Sequence, residues 1–319
     1  MKKILSLTFL AVAALLVITG CSNEKLSKDI VKESYIHQYG LPVSKADWIS
    51  RGSNGQVIAT MKSGVVVVKN YRNDALHGTV SYSFPHSKIV ARSLSYNEGA
   101  LTEKIEYLSS GIPSKKVEFL DDNKEKITTW FPSGTPQNIE VYTNGLLVTG
   151  EYFAQNNEQV SSVENGYGSR TNYNEHGLLI SHDAIEEGAM TLSTSYFPHG
   201  TPQALTPFVN GVAHGERRTY LSDGSPNTIE QWVEGKQEGM TALFNNGAIY
   251  SKIPYNVNKK NGVEHRYQDG NVVEAITWNH GERHGPTYHY VAGTVLTDWY
   301  YQNRLVSKLY YEEQATKKF

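Results

Sequence analysis

Turn glycines recur along this chain with a period of about 23 residues, and that spacing limits the possible folds more than any other feature. They fall at Gly64, Gly111, Gly134, Gly177, Gly200, Gly224, Gly247, Gly270 and Gly293, with Ser87 and Asn157 in two intervening slots. Successive steps are 23, 24, 23, 23, 20, 23, 24, 23, 23 and 23 residues, and the 20-residue step marks a deletion in mid-array. A fixed period in this range is the mark of repeat architectures, in which one unit cannot bury its apolar face alone and does so against its neighbours.

Other residues keep phase with the glycines. An aromatic ring precedes the turn by three or four positions at Phe84, Tyr107, Phe131, Phe153, Tyr173, Phe197, Tyr220, Phe244, Tyr267 and Tyr290. A second follows it by about eight at Tyr71, Tyr96, Phe119, Tyr142, Phe208, Trp232, Tyr255, Trp278 and Tyr301, with Asn165 and Ile185 in that slot in the repeats around Asn157 and Gly177, and another glycine sits three residues beyond the slot at Gly99, Gly145, Gly188, Gly211, Gly235 and Gly281. Proline occupies turn and strand-start slots, where a missing N–H costs least: Pro85, Pro132 and Pro198 after the first ring, Pro113, Pro136, Pro202 and Pro226 after the turn glycine. Alternation in Thr228-Ile229-Glu230-Gln231-Trp232 fits a half-buried strand. Each unit therefore reads as a β-hairpin. The expected fold class is all-β, an elongated antiparallel sheet of stacked hairpin repeats over residues 52–311.

The first 51 residues are different. Lys2 and Lys3, the apolar run Ile4–Ile18 and the small residues Thr19 and Gly20 have the three parts of an export signal over residues 1–20, and the apolar run is too short for a comfortable membrane span. Ile18-Thr19-Gly20-Cys21 resembles the bacterial lipobox. That resemblance implies cleavage before Cys21, acylation of its thiol by diacylglycerol with fatty chains such as palmitate, and a lipid-anchored protein of the cell envelope. Ser22 resembles the residue that sorts such proteins to the outer membrane where a cell has two. Cys21 is the one cysteine of the chain, so acylation also removes a lone thiol from an oxidising compartment. Residues 21–51 are read as a lipidated tether and cap, with Ile30, Val31, Tyr35 and Ile36 spaced for a short amphipathic helix over 23–38 and Leu41–Arg51 covering one array end. Leu305–Tyr311 is expected to be the last strand, and residues 312–319 a polar tail.

The repeats resemble the MORN family, above all its bacterial variant. Gly211-Val212-Ala213-His214-Gly215 with Tyr220 and Gly224, and Gly281-Glu282-Arg283-His284-Gly285 with Tyr290 and Gly293, carry the likeness best, which extends over roughly residues 55–311. The resemblance implies a MORN-like solenoid that binds or organises partners rather than a catalyst. Some bacterial members carry an antitoxin designation, a cytosolic role that fits poorly with a lipobox.

Composition and chemistry narrow the function further. With 30 Lys+Arg against 32 Asp+Glu, the chain lacks the bulk positive charge of a nucleic-acid binder. His280, His284 and His289 lie close together with His265 one repeat earlier, but Gly281 and Gly285 argue against the helix that would align a zinc site. His77, His214 and His284 each precede a glycine in the same repeat slot, which suits a turn residue bonded to backbone. No G-x-S-x-G, cysteine nucleophile or P-loop is present, and the sequence calls for no cofactor or metal. The main expectation is a protein or glycan partner received on the aromatic rows, with Trp232, Trp278, Trp299, Tyr267 and Tyr290 as candidate contacts. Two rivals remain. An envelope hydrolase would need His265, Glu264, His280, Glu282 and His284 to converge, and an immunity or antitoxin-type protein would pair with a toxin. An open end of such an array also allows edge pairing between copies.

Overall fold

The computed structural model describes residues 29–121 and 123–317; the leader, the lipobox and Cys21 lie outside the described residues. Among them are 29 strands and two helices, α1 (Lys45–Ser50) and α2 (Lys308–Thr316). The fold is all-β, with antiparallel strands paired to their neighbours in sequence. The chain divides into two compact units, one ending at Val160 and the other beginning at Ser161. No helix of the described residues is long and apolar enough to cross a membrane.

Two kinds of turn alternate, and both follow from the phased residues. Three-residue turns carry the early glycines of the repeat series. At Phe131-Pro132-Ser133-Gly134-Thr135 the Phe131 N–H donates to the Thr135 carbonyl (2.9 Å) and the Gly134 N–H to the Phe131 carbonyl (2.8 Å). Pro132 needs no donor there. Two-residue turns close the opposite edge, as at Asn144-Gly145, where both φ angles are positive (51° and 80°). This is the twist-matched hairpin turn that favours Asn-Gly. Successive turns on that edge are tied together: Gly99 N–H donates to Leu76 O (2.8 Å), Gly188 N–H to Gly166 O (2.9 Å) and Gly281 N–H to Lys260 O (2.8 Å). Backbone bonding therefore runs between repeats as well as within them.

Several repeats break the ladder at one residue. The strand Val66–Arg72 pairs first with Ala75–Leu76 and then with Gly78–Ser83, leaving His77 bulged between them. The same break recurs at His214, Glu238 and Asn261, each ahead of a glycine at positive φ. A side chain at Gly262 would lie 3.0 Å from Pro254 Cγ on the facing strand, so the slot is closed sterically as well as conformationally.

In the first unit the core begins around Ala59, Val67 and Val80, with Met61, Leu76, Tyr82, Leu94 and Tyr96 packed on it. Further along, Phe131 and Tyr152 are fully buried. The Tyr152 ring passes over Gly150, covering backbone that a second layer would otherwise cover. In the second unit Ile253, Ala275 and Ile276 are buried, but so are the polar residues Asp183, Thr241, Ser251, Glu264 and Thr287.

Both ends differ from the sequence expectation. Ile30–His37 is a strand, not an amphipathic helix; its β-branched residues pair with Gly55–Met61, and long-range ladder bonds outweigh a weak helical pattern. Leu41–Arg51 holds α1, capped by Ser44 Oγ accepting from Asp47 N–H (3.1 Å). Trp48 of α1 is 5% exposed, its ring 5.7 Å from Tyr35 and 6.0 Å from Tyr71. At the other end the last strand is only Arg304–Val306. Ser307 then caps α2 by accepting from Tyr310 N–H (3.1 Å), so the segment expected as strand and tail is helical to Thr316.

Candidate functional site

Alternation along the strands and the register of their pairs sort the second unit's side chains into two faces. Ser195 faces Ala204, Ala204 faces Thr219, Thr219 faces Thr228, and Arg217 faces Glu230. These residues share one face, which also carries Asp183, Trp232, Glu264, Glu274 and Trp278. Cross-strand partners stand about 5 Å apart, so the row is continuous from strand to strand.

Three acids on this face, Asp183 and Glu264 buried and Glu230 half-buried, are each held by a cation and further donors. Asp183 accepts from Arg170 Nε (3.0 Å), Asn172 (2.9 Å) and Ser193 (2.6 Å). Glu230 accepts from Arg217 Nη1, Trp232 Nε1 (both 2.8 Å) and Thr228 Oγ1 (2.9 Å). Glu264, only 2% exposed, takes bonds from Arg266 Nε (2.9 Å), Trp278 Nε1 (2.8 Å), Ser251 (3.1 Å) and Lys260 (3.3 Å). Burial pushes the carboxyls of Glu230 and Glu264 up, but hydrogen bonds and cations outweigh it and hold both below the ordinary glutamate range. Both are ionised at neutral pH. Such a group accepts hydrogen bonds and orders its neighbours; it is not poised as a general acid.

Beside Glu230 the face opens into a depression of about 620 Å³. Ser195, Gln203, Arg217, Thr219, Asn227, Thr228 and Glu230 supply its polar wall, and Phe197 closes one end with its ring stacked 5.6 Å from His199. The Thr219 and Thr228 hydroxyls are 2.7 Å apart, and Asn227 Nδ2 donates to Thr219 (3.2 Å). Arg217 is fixed from two sides, by Glu230 and by Thr206 Oγ1 (3.2 Å). The wall is preorganised and electrically balanced.

The five aromatic residues expected to receive a partner do not share one surface. Trp232 and Trp278 stand on the Glu230 face, their indoles bonded to Glu230 and Glu264. Trp278 is also covered by Lys260 (4.4 Å) and Arg283 (5.8 Å). Tyr267, Tyr290 and Trp299 point to the opposite face, where Lys252 approaches Tyr267 (5.8 Å) and Tyr311 of α2 covers Trp299 (5.1 Å).

The histidine group is likewise dispersed. Glu264 and His265 are strand neighbours and so face opposite sides. His280 sits in a two-residue turn and bonds to Asn279, while its N–H donates to Asn261 Oδ1 (3.2 Å). His284 stands beside the rings of Tyr301 (5.0 Å) and Tyr311 (5.4 Å). The histidine slot does serve backbone in two repeats: His77 Nδ1 accepts from Glu98 N–H (3.3 Å) and His214 Nδ1 from Glu234 N–H (3.4 Å). Among the described residues no group of three or more His, Cys, Asp or Glu is arranged to hold a metal.

Sequence reasoning passed over Asp183 and Glu230 and named Glu264 only as part of a histidine cluster, which the structure does not assemble. A signal existed in Glu230-Gln231-Trp232, where the two-residue offset puts acid and indole on one face. Glu264 and Trp278 meet across strands, and no local pattern announces that pair.

No protein-family profile matches the chain, and no curated protein matches it. Among solved structures it is similar to a chain of the TcdB2-TccC3-Cdc42 crystal structure, at 8% identity and a TM-score of 0.20, over 84% of this chain and 20% of that one. It is also similar to a porin-like protein from Bacteroides uniformis, at 10% identity and a TM-score of 0.16, over 83% of this chain and 92% of that one. The chain thus spans about a fifth of the first of these. At these scores neither likeness bears on fold or function.

Proposed function

We propose that this chain is a lipid-anchored binding or scaffold protein of the cell envelope, a MORN-like repeat sheet that presents its Glu230 face to a protein or glycan partner and performs no catalysis. The observation that carries the reading is the open, polar, rigidly braced depression around Arg217 and Glu230. Its acid, Glu230, is ionised and already paired, so it offers shape and hydrogen bonds rather than a proton to transfer. Recognition would be distributed, with each strand adding a few polar contacts and Phe197 an apolar one.

The periodicity supplies a clean test. Removing residues 215–238 deletes one full repeat and brings Gly239 into the place of Gly215, so the turn series keeps its phase. The deleted protein, isolated from membranes with its native ligand, should remain fatty-acylated and membrane-bound but lose most of its ligand. A Cys21→Ser chain should show the reverse, retaining the ligand while losing label from a fatty-acid precursor. Full ligand retention by the deletion would overturn the assignment of the face, and unchanged labelling of Cys21→Ser would overturn the anchor.

A further inference from the structure

We infer that the depression around Arg217 and Glu230 is a subsite for a neutral oligosaccharide lying across the strands. This rests on the binding reading above and narrows it to one ligand class. Charge comes first. One cation and one acid line the wall, and they are joined at 2.8 Å. An anionic ligand would have to approach Glu230, and a cationic one would have to displace or face Arg217. Neither gains a free countercharge. A largely apolar ligand is matched no better, since most of the lining is hydroxyl, amide and ionic, with Phe197, Ala204 and Leu221 as the main apolar surfaces.

What the wall does offer is hydrogen bonding in fixed positions. Thr228 O–H donates to Glu230, which leaves Thr219 O–H to donate to Thr228, and Asn227 Nδ2 donates to Thr219, so the two hydroxyl oxygens are fixed in place with a lone pair each left to accept from a ligand. Among the described residues the side chains of Ser195 and Gln203 have no hydrogen-bond partner within the protein, so they are free for a ligand. A neutral polyol, which both donates and accepts through every hydroxyl, suits such a surface. The ring of Phe197, at one end, gives an apolar plane of the kind on which the C–H face of a sugar can rest.

Geometry adds the orientation. Four successive strands, Ala189–Tyr196, Pro202–Val209, Gly215–Tyr220 and Pro226–Val233, contribute to the depression. They repeat every ~4.8 Å across the sheet, close to the length of one pyranose unit in an extended chain. A glycan crossing the strands therefore meets one strand per sugar, and its hydroxyls keep step with the side-chain row. The volume of about 620 Å³ lies within the range of small-ligand sites.

Trp232 provides the readout, because its indole is bonded to Glu230 at the edge of the site. Titrating the full chain with maltose, maltotetraose and tetra-N-acetylchitotetraose, by tryptophan fluorescence and calorimetry, should show saturable binding of a tetrasaccharide. Binding should be tighter for four sugars than for two, and little changed by salt. A Ser195→Ala/Gln203→Ala chain should weaken binding by about tenfold with an unaltered unfolding midpoint, since neither side chain braces the fold. A Leu192→Ala change on the opposite face should leave affinity unchanged. The inference is overturned if no neutral tetrasaccharide binds, if Ser195→Ala/Gln203→Ala binds as tightly as the parent, or if a sulfated oligosaccharide binds more tightly than the neutral ones. Should saccharides fail while removal of residues 215–238 still strips the protein of its native ligand, the binding reading stands and the saccharide inference alone falls.

Discussion

At the scale of single residues, the sheet depends on side chains that lie along it. Tyr152 is fully buried and donates to Glu140 Oε1 (2.8 Å), and it does so by passing over Gly150, where an added Cβ would come within 2.5 Å of the tyrosine oxygen. The ring has no open space to move into. Gly150→Ala should therefore cost about 1–3 kcal/mol, read as a lowered urea midpoint. Glu264 gives the electrostatic counterpart. Glu264→Ala would take the acceptor from Trp278 Nε1 and Ser251 Oγ and leave Arg266 paired with Glu274 alone, and should cost about 1–3 kcal/mol. The pH dependence has a definite sign. The carboxyls of Glu230 and Glu264 lie below their ordinary value of 4.5 in the folded chain, so their contribution is present above that value and is lost as pH falls through the lower folded values. Urea midpoints should decline on acidification from about pH 4.5, and Glu264→Gln should show a shallower decline than the parent.

Elements tell how much a single sequence reveals. The hairpins were legible because glycine, proline and aromatic slots repeat, and repetition averages out the ambiguity of any one short strand. The bulge ahead of Gly215 and Gly262 is packed against a cross-strand proline, Pro207 or Pro254, a contact that no local reading shows. The ends depart from the expectation for the opposite reason. Ile30–His37 and Lys308–Thr316 stand outside the periodic array, so nothing but weak propensity speaks for them. Helix α2 has a clear role at its place, since Tyr311 packs against Trp299 and Tyr301 of Thr294–Tyr301 and against His284 of the strand before it. Truncation after Val306 should uncover an aromatic face and a strand edge. Light scattering should then report concentration-dependent association, and Tyr311→Ala should produce a weaker form of it.

On the scale of the whole molecule, sequential pairing makes stability a matter of neighbours. Within the second unit, Glu264→Ala should strip hydrogen-exchange protection from Gly239–Val291 while sparing Leu179–Glu186, because the strands of each segment pair with their own sequence neighbours. The same organisation explains why the candidate site was only partly legible. Binding was expected on aromatic rows, and the rows proved to be divided between two faces. Trp232 and Trp278 are bonded to Glu230 and Glu264, while Trp299 is covered by α2. Face membership depends on bulges and register, which a period in sequence does not encode.

The central claim is that one face of the second unit receives the ligand and the other does not. Photo-crosslinking amino acids placed at Gln203 and Asn227, which line the depression, and at Leu192 and Arg218, on the opposite face, test it directly in intact cells. Adducts from Gln203 and Asn227, with none from Leu192 or Arg218, are the expected result. Adducts from Leu192 and Arg218 alone, or in equal yield from both faces, would contradict the claim.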